Sequence, residues 1–202
     1  HRTTDAGAAK LAARLDEHRQ VTSETGGTWP EATLGVFAAG GHVFYRTGWD
    51  AEAAWWAFDA AGWGGGHMHL SRLNVELHVG GRTVLPDAGI FDYEMSNPLG
   101  PAGKSTPMHS TACVEMGNQA EVGAELIRCV DWEGAVVVQG RYSGGYYSGT
   151  FGWRFADGHG EGVFGVHDRT IIWLKDRAML VLDQIAHDAD RTAYVHWTCD
   201  DA

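Results

Sequence analysis

The sequence predicts a mainly β protein, an antiparallel β-sandwich preceded by one short helix. Segments of about five to eight apolar-rich residues recur between glycine or aspartate turns, as in the strands of a sandwich. Helical periodicity, in contrast, is convincing at only one place near the N-terminus. The composition agrees, because 28 glycines against five prolines are typical of many tight turns between short strands.

The predicted helix lies between Asp5 and Val21, where apolar side chains recur at helical spacing. Thr4 or Asp5 can cap its first turn. Residues 23–30 are polar and contain glycine, as expected of a linker. The prediction therefore divides the chain into a helix and linker over residues 1–30 and a sandwich over residues 31–202.

The strands of the sandwich are predicted to follow this linker. Residues 34–38 and 42–46 form a hairpin around Gly40 and Gly41, and a second glycine pair at residues 80–81 turns the chain again. Further strands are expected around residues 54–59, 73–79, 82–87, 110–116, 125–132, 135–142, 163–174, 178–185 and 193–198. Residues 91–107, with three prolines and no periodicity, predict a long loop of the kind that often carries function.

Charge and composition exclude several classes of partner. The net charge of −11 argues against binding nucleic acid or an anionic membrane through bulk electrostatics. The sequence contains no run of 18 apolar residues, so no membrane-spanning helix is predicted. Cys113, Cys129 and Cys199 form no Cys-x-x-Cys metal pair and leave room for one disulfide.

Histidine and aspartate residues concentrate in three short segments. His67 and His69 follow three glycines, Asp87 lies in a Pro-Asp-Ala-Gly segment, and His109 lies in a Met-His-Ser-Thr segment. In an extended strand the two nearby histidines lie on one face, and a glycine hairpin can return Asp87 to their side. Imidazole and carboxylate ligands suit zinc. The alternative interpretation is a set of scattered polar groups that bind no metal.

Eight segments of the chain together form an ordered set of motifs. They are residues 45–50, 58–62, 66–74, 77–82, 86–89, 108–111, 166–169 and 181–183. This set resembles the heparinase II/III family of polysaccharide lyases over about residues 33–200. The resemblance implies an α/α toroid followed by a large β-sandwich, with the active cleft between them. Residues 1–30 would then be the end of a toroid that lies upstream, and the sandwich would continue beyond residue 202.

The resemblance also assigns roles by position. His69, Asp87 and His109 correspond to the family's zinc ligands, and His67 corresponds to the histidine that faces the substrate. Tyr93 lies where the family often has a tyrosine shortly after the aspartate. The zinc is expected to be structural and to lie beside the cleft.

These assignments imply part of a polysaccharide lyase that cleaves a uronic-acid-containing glycan by β-elimination. Such an enzyme neutralises the substrate carboxylate while a base removes the neighbouring proton. His67 suits charge neutralisation or proton shuttling, and Tyr93 can donate a proton to the leaving oxygen. Because the other groups belong to the toroid, this piece alone is expected to be inactive. Family members are exported, which implies a periplasmic or secreted protein acting on an acidic polysaccharide.

Two departures and two alternatives accompany this prediction. Ser71 and Ser110 replace an acidic residue and an asparagine of the family pattern, which can weaken support for the ligands. The load of nine tryptophans, seven phenylalanines and six tyrosines also fits a non-catalytic carbohydrate-binding sandwich. A cupin-like metal enzyme is a further alternative because Glu76 follows the paired histidines, although six residues separate it from His69.

Overall fold

The computed structural model of the chain describes residues 33–90, 93, 102–147, 162–175, 177–187 and 190–200. The predicted helix between Asp5 and Val21 and most of the predicted loop at 91–107 lie outside these residues. The described residues belong to one structural unit, Thr33–Ala202. In this part of the chain, no helix has the length and apolar character of a membrane span.

The first sheet is antiparallel and contains five strands in sequential order. Its strands are β1 (Leu34–Phe37), β2 (His42–Arg46), β3 (Trp55–Asp59), β4 (Val75–Val79) and β5 (Arg82–Leu85). The predicted first hairpin is confirmed, with Leu34 opposite Tyr45. Gly41 has a φ of 73°, and a Cβ there would lie 2.2 Å from the Ala60 carbonyl oxygen, so only glycine fits this turn.

The second sheet is also antiparallel and has four strands in the order β13-β12-β9-β8. Their bounds are β8 (Ala124–Asp131), β9 (Ala135–Tyr142), β12 (Gly165–Leu174) and β13 (Ala178–His187). Along β12 every second side chain is buried, which is the alternation expected of a strand with one face on a core. Among these inward side chains are Ile171 and Trp173.

Shorter strands complete the β structure. Strands β6 (Ala112–Val114) and β14 (Ala193–Val195) pair with each other, and β10 (Tyr146–Tyr147) lies between β7 (Asn118–Gln119) and β11 (Gly162–Val163). The sequence did not predict β7 or β10, because two residues are too few to show a period. A 3-10 helix, Thr106–Met108, overlaps the end of the predicted loop.

The core lies between the two larger sheets. The Tyr45 ring in β2 lies 5.8 Å from the ring of Trp56 and 6.0 Å from the ring of Trp173 in the opposite sheet. Trp56 is completely buried. The predicted antiparallel sandwich is therefore confirmed for the described residues.

The sandwich is tightly packed at Gly140 in β9. A Cβ there would lie 2.6 Å from Leu73 Cδ2 and 3.0 Å from two ring atoms of Phe58, both of which are buried. Gly140→Ala is expected to lower the free energy of unfolding by about 1–3 kcal/mol through overpacking, measured by urea denaturation. The matched control is Gly134→Ala, because no atom lies within 4 Å of its Cβ position. Equal denaturation midpoints for the two variants would contradict this close packing.

The three cysteines form no disulfide. Cys113 is buried in β6, and its burial raises the pKa of the thiol to about 11. Its sulfur lies 3.2 Å from His196 Nε2. The one disulfide that the sequence allowed is therefore not formed by these cysteines.

Candidate functional site

Three side chains from separate parts of the chain meet beside the first sheet. His69 Nδ1 lies 3.1 Å from His109 Nε2 and 3.5 Å from Asp87 Oδ1. His109 Nε2 lies 3.2 Å from Asp87 Oδ2. One ligand-capable atom from each residue therefore falls within 4.8 Å of the others. We refer to His69, Asp87 and His109 as the triad.

Each member of the triad is placed by a different turn. His69 lies in the connection between β3 and β4, Asp87 follows the end of β5, and His109 directly follows the 3-10 helix. The expectation that His67 and His69 share a strand is wrong, because the structure describes all of residues 61–70 and contains turns and no strand there. Gly65, with a φ of 102°, bends the chain just before them.

Hydrogen bonding sets the tautomer of His109. Its Nδ1 lies 2.8 Å from the Ser105 carbonyl oxygen, which can only accept a hydrogen bond. Nδ1 therefore carries the proton, and in the neutral ring the Nε2 lone pair points toward the other two residues. His109 is fully buried, so water cannot satisfy this lone pair from outside.

The surroundings of the triad favour a neutral imidazole at His69 and an ionised carboxylate at Asp87. Burial lowers the pKa of His69, an effect that the charge of Asp87 opposes only in part. Burial alone would raise the pKa of Asp87, but contact with the His109 ring, the hydrogen bond from the Gly89 amide and the nearby His69 ring bring it below its usual value. Half-buried Glu76 has a raised pKa because of burial and the nearby Asp87 carboxylate.

The triad fits a tetrahedral divalent ion. Ligand atoms about 2.0–2.1 Å from a tetrahedral zinc lie about 3.3 Å from one another. The two imidazole nitrogens, 3.1 Å apart, match one edge of such a tetrahedron. A different Asp87 carboxylate oxygen lies near each of them, with Oδ2 3.2 Å from His109 Nε2 and Oδ1 3.5 Å from His69 Nδ1. Without a cation or a shared proton, two facing imidazole lone pairs at this distance would repel each other. The donor set and its geometry thus suit one divalent cation with a fourth position open.

Comparison with known proteins identifies the family. The model of the heparinase II/III-like C-terminal family matches residues 30–201 of the chain. The chain belongs to this family. No curated protein sequence matches it significantly.

Solved structures share the fold of this heparinase II/III-like domain. A mutant of heparan sulfate lyase HepC from Pedobacter heparinus is 21% identical, with a TM-score of 0.72 over 95% of this chain and 28% of that chain. The heparinase III-BT4657 gene product is 13% identical, with a TM-score of 0.73 over 98% of this chain and 29% of that chain. The chain thus spans less than a third of the length of these lyases. At such identities the likeness shows the fold.

The two residues predicted to be catalytic, His67 and Tyr93, are both exposed in the heparinase II/III-like domain. Tyr93 has 73% of its surface accessible. His67 lies on the turn before His69, and buried Lys104 donates a hydrogen bond of 2.7 Å to the carbonyl oxygen of the preceding Gly66. Neither residue belongs to the group that meets at the triad. Their catalytic roles remain predictions.

A buried ion pair supports the His69 side of the triad. Arg72, of which only 2% is exposed, lies 3.1 Å from Asp59 Oδ2 through Nη2 and donates to Asp59 Oδ1 at 3.3 Å through Nη1. The same guanidinium donates to the carbonyl oxygens of His69 at 3.0 Å and Ala61 at 3.2 Å. Arg72 therefore fixes the backbone at both ends of the histidine-bearing loop.

Buried side-chain amides and hydroxyls join the two histidine-bearing segments. The Thr106 hydroxyl donates to the Leu70 carbonyl at 2.6 Å, and the Thr111 hydroxyl donates to the Arg72 carbonyl at 2.7 Å. Asn74 Oδ1 accepts the Ser110 amide at 2.8 Å. Each bond satisfies a buried backbone group that would otherwise be costly. Together they hold the loop after His69 against the segment around His109.

The C-terminal part of the described chain lies behind His109. The Thr198 hydroxyl donates to the Met108 carbonyl at 2.8 Å across 90 residues of sequence. The His196 amide donates to the Thr111 carbonyl at 2.8 Å, and the Thr198 amide donates to Ser110 Oγ at 3.2 Å. The position of the third triad residue thus depends on a distant segment.

Sequence reasoning missed these supporting residues. The structure buries Arg72 against Asp59, a contact that the sequence did not predict. The available signal was the presence of Arg72 and Asn74 among apolar neighbours in residues 70–75. The hydroxyl of Ser71, one of the two departures from the family pattern, lies 3.5 Å from Asp59 Oδ2.

Proposed function

We propose that the chain is part of a polysaccharide lyase that cleaves a uronic-acid-containing glycan by β-elimination. We further propose that the triad holds a structural zinc ion beside the active cleft. Family membership supports the lyase class, and the convergence of His69, Asp87 and His109 is the observation that carries the proposal. The solved relatives include proteins described as heparan sulfate lyases, which supports an acidic polysaccharide as the substrate.

Zinc suits the triad better than calcium or magnesium because two of the three ligands are imidazoles. When bound, it supplies folding free energy by linking the β3–β4 connection, the segment after β5 and the segment before β6. We assign it this structural role because all three ligands belong to turns at the ends of strands.

His67 is proposed to carry the chemistry on this chain. Its exposed imidazole lies two residues from a triad ligand, so a fixed triad limits where the ring can go. As the proton beside the substrate carboxylate leaves, its electron pair forms the double bond and the bond to the leaving oxygen breaks. A hydrogen bond from His67 to the carboxylate stabilises the negative charge that develops. Tyr93 is the candidate donor of a proton to the leaving oxygen.

The remaining groups are proposed to come from an N-terminal toroid of the same protein. That domain would supply the base, as well as most contacts to the glycan, and the protein would act in the periplasm or after secretion. The matched lyases are more than three times as long as this chain, which supports a further domain.

The test uses the full-length polypeptide that contains this chain. We expect it to release unsaturated product, seen as ultraviolet absorbance, from at least one of heparan sulfate, chondroitin sulfate, hyaluronan and alginate. His67→Ala should lower kcat by at least about 100-fold, as for loss of an acid–base group, and should leave the zinc content unchanged. His42→Ala, which changes a 42% exposed histidine on β2, is the control.

Two results would contradict the proposal. Binding of these glycans without unsaturated product would favour the non-catalytic carbohydrate-binding sandwich. Elemental analysis that finds redox-active iron and no zinc would favour the cupin-like metal enzyme.

A further inference from the structure

Arg169 is a buried cation that the proposed function does not use. It lies on β12, has no exposed surface, and belongs to the motif at residues 166–169. Its Nε donates to Asp183 Oδ1 at 2.7 Å and its Nη2 donates to Asp183 Oδ2 at 3.1 Å. This bidentate pairing fixes the plane of the guanidinium. Arg169 is therefore held in one orientation by the neighbouring strand β13.

The third guanidinium nitrogen of Arg169, Nη1, contacts segments on the other side of the sandwich. Its Nη1 donates to the Leu73 carbonyl oxygen at 2.9 Å and also to the Ser110 carbonyl oxygen. Ser110 directly follows His109, and Leu73 closes the loop that carries His69. A single nitrogen thus contacts both segments that bring histidines to the triad.

The backbone at Leu73 requires such a restraint. Leu73 has a φ of 62°, in the left-handed region that non-glycine residues rarely adopt, and its side chain is completely buried. Strained conformations of this kind persist only where the surroundings fix them. The hydrogen bond from Arg169 to the Leu73 carbonyl is one of the contacts that fix it.

We propose that Arg169, oriented by Asp183, is a positioning residue of the metal site that sets the spacing between the segments carrying His69 and His109. The inference rests on the proposed zinc site. An arginine with only a local structural role would end its contacts at Asp183. Here Arg169, on a strand of the second sheet, also contacts the carbonyl oxygens of Leu73 and Ser110, which belong to the two segments that carry the triad histidines.

The surroundings of Asp183 keep this restraint rigid. His167 Nε2 lies 2.6 Å from Asp183 Oδ1 and donates to it, since an ionised carboxylate only accepts. Burial would raise the pKa of Asp183, but the hydrogen bonds from His167 and Arg169 hold it well below its usual range. Asp183 is therefore an anion at neutral pH, and it holds the Arg169 guanidinium in this orientation.

The chain contains a matched control. Arg141 and Asp168 form the same two-pronged pair between β9 and β12, with distances of 2.7 and 2.8 Å. Asp168 is adjacent to Arg169 in the sequence, but its side chain lies on the opposite face of the strand, and Arg141 is half exposed. This pair therefore has the same bidentate chemistry on the face of β12 opposite Arg169.

The experiment compares Arg169→Lys with Arg141→Lys in the 202-residue chain. A lysine keeps the charge, but it cannot form a bidentate pair with Asp183 and at the same time contact the carbonyl oxygens of Leu73 and Ser110. We measure the zinc dissociation constant by chelator competition, the visible absorption of the cobalt-loaded protein, and the urea midpoint in the presence of chelator. Arg169→Lys is expected to weaken zinc binding by about 10–100-fold and to change the cobalt bands. Arg141→Lys should alter neither.

A stability control separates positioning from general loosening. Ile171→Ala removes a fully buried side chain from the same face of β12, two residues from Arg169. It should lower the urea midpoint and leave the zinc dissociation constant unchanged. Should Arg169→Lys fail to fold, Asp183→Asn, which keeps the volume but loses the anion, should weaken zinc binding in the same direction.

Several results would overturn the inference. Wild-type zinc affinity and cobalt bands in a folded Arg169→Lys variant would do so and leave the proposed function intact. If Ile171→Ala weakened zinc binding as much as Arg169→Lys does, Arg169 would contribute only to general stability. Absence of zinc binding by the wild-type chain would instead remove the proposed zinc site, and the inference with it.

Discussion

Replacing His109 with alanine is expected to abolish tight zinc binding by the chain. The variant loses the Nε2 atom that faces His69 Nδ1 at 3.1 Å and Asp87 Oδ2 at 3.2 Å. Two ligands on separate turns then remain. Because loss of a supporting group alone costs about 10–100-fold in affinity, loss of a ligand should cost more than about 100-fold. Chelator competition measures this directly.

The same variant should lose any stabilisation that the proposed zinc site gives. Free zinc at about 1,000 times its dissociation constant should raise the free energy of unfolding of the wild-type chain by about 4 kcal/mol. It should leave the unfolding of His109→Ala unchanged. His42→Ala, on β2 and outside the triad, should respond to zinc as the wild type does. A zinc-dependent midpoint in His109→Ala would show that the ion binds elsewhere.

Replacing Asp59 with alanine should give the largest loss of stability among single surface-accessible positions near the site. It would leave the Arg72 guanidinium, which is 2% exposed, without its anionic partner. Breaking a buried pair costs about 3–5 kcal/mol, and we expect about 3 kcal/mol here because 21% of the Asp59 side chain is exposed to water. Urea denaturation in the presence of chelator gives the free energy of unfolding without a contribution from zinc.

A double variant distinguishes the lost pair from the lost charge. Combining Asp59→Leu with Arg72→Met removes both charges, so it should cost less than Asp59→Ala alone. Asp168→Ala breaks the half-exposed pair with Arg141 and should have a much smaller effect. A double variant as unstable as the sum of the single variants would mean that the two charges do not depend on each other.

Much of the fold could be predicted from local pattern. Apolar-rich segments and the glycine pairs at 40–41 and 80–81 predicted the hairpins of the first sheet, and β9 begins and ends where expected. These features arise within a few residues of one another, so a single sequence reveals them. The two-residue strands, β7 and β10, exist because the surrounding fold pairs them, which no local pattern indicates.

The candidate functional site could likewise be predicted only in part. The spacing of His69, Asp87 and His109 together with the family resemblance singled out residues that the structure brings together. The strand expected at His67 and His69 was wrong because the period-2 argument ignored the turn that the preceding glycines form. The contacts of Asp59, Arg72 and Arg169 could not be predicted, since each joins segments that are distant in sequence.

The bonds from Thr198 and His196 to the segment around His109 have a consequence for how the protein matures. All three members of the triad leave the ribosome long before the residues that hold the last of them in place, because Thr198 reaches Met108 across 90 positions. The proposed zinc site therefore cannot reach its final form until β14 and Thr198 have been synthesised.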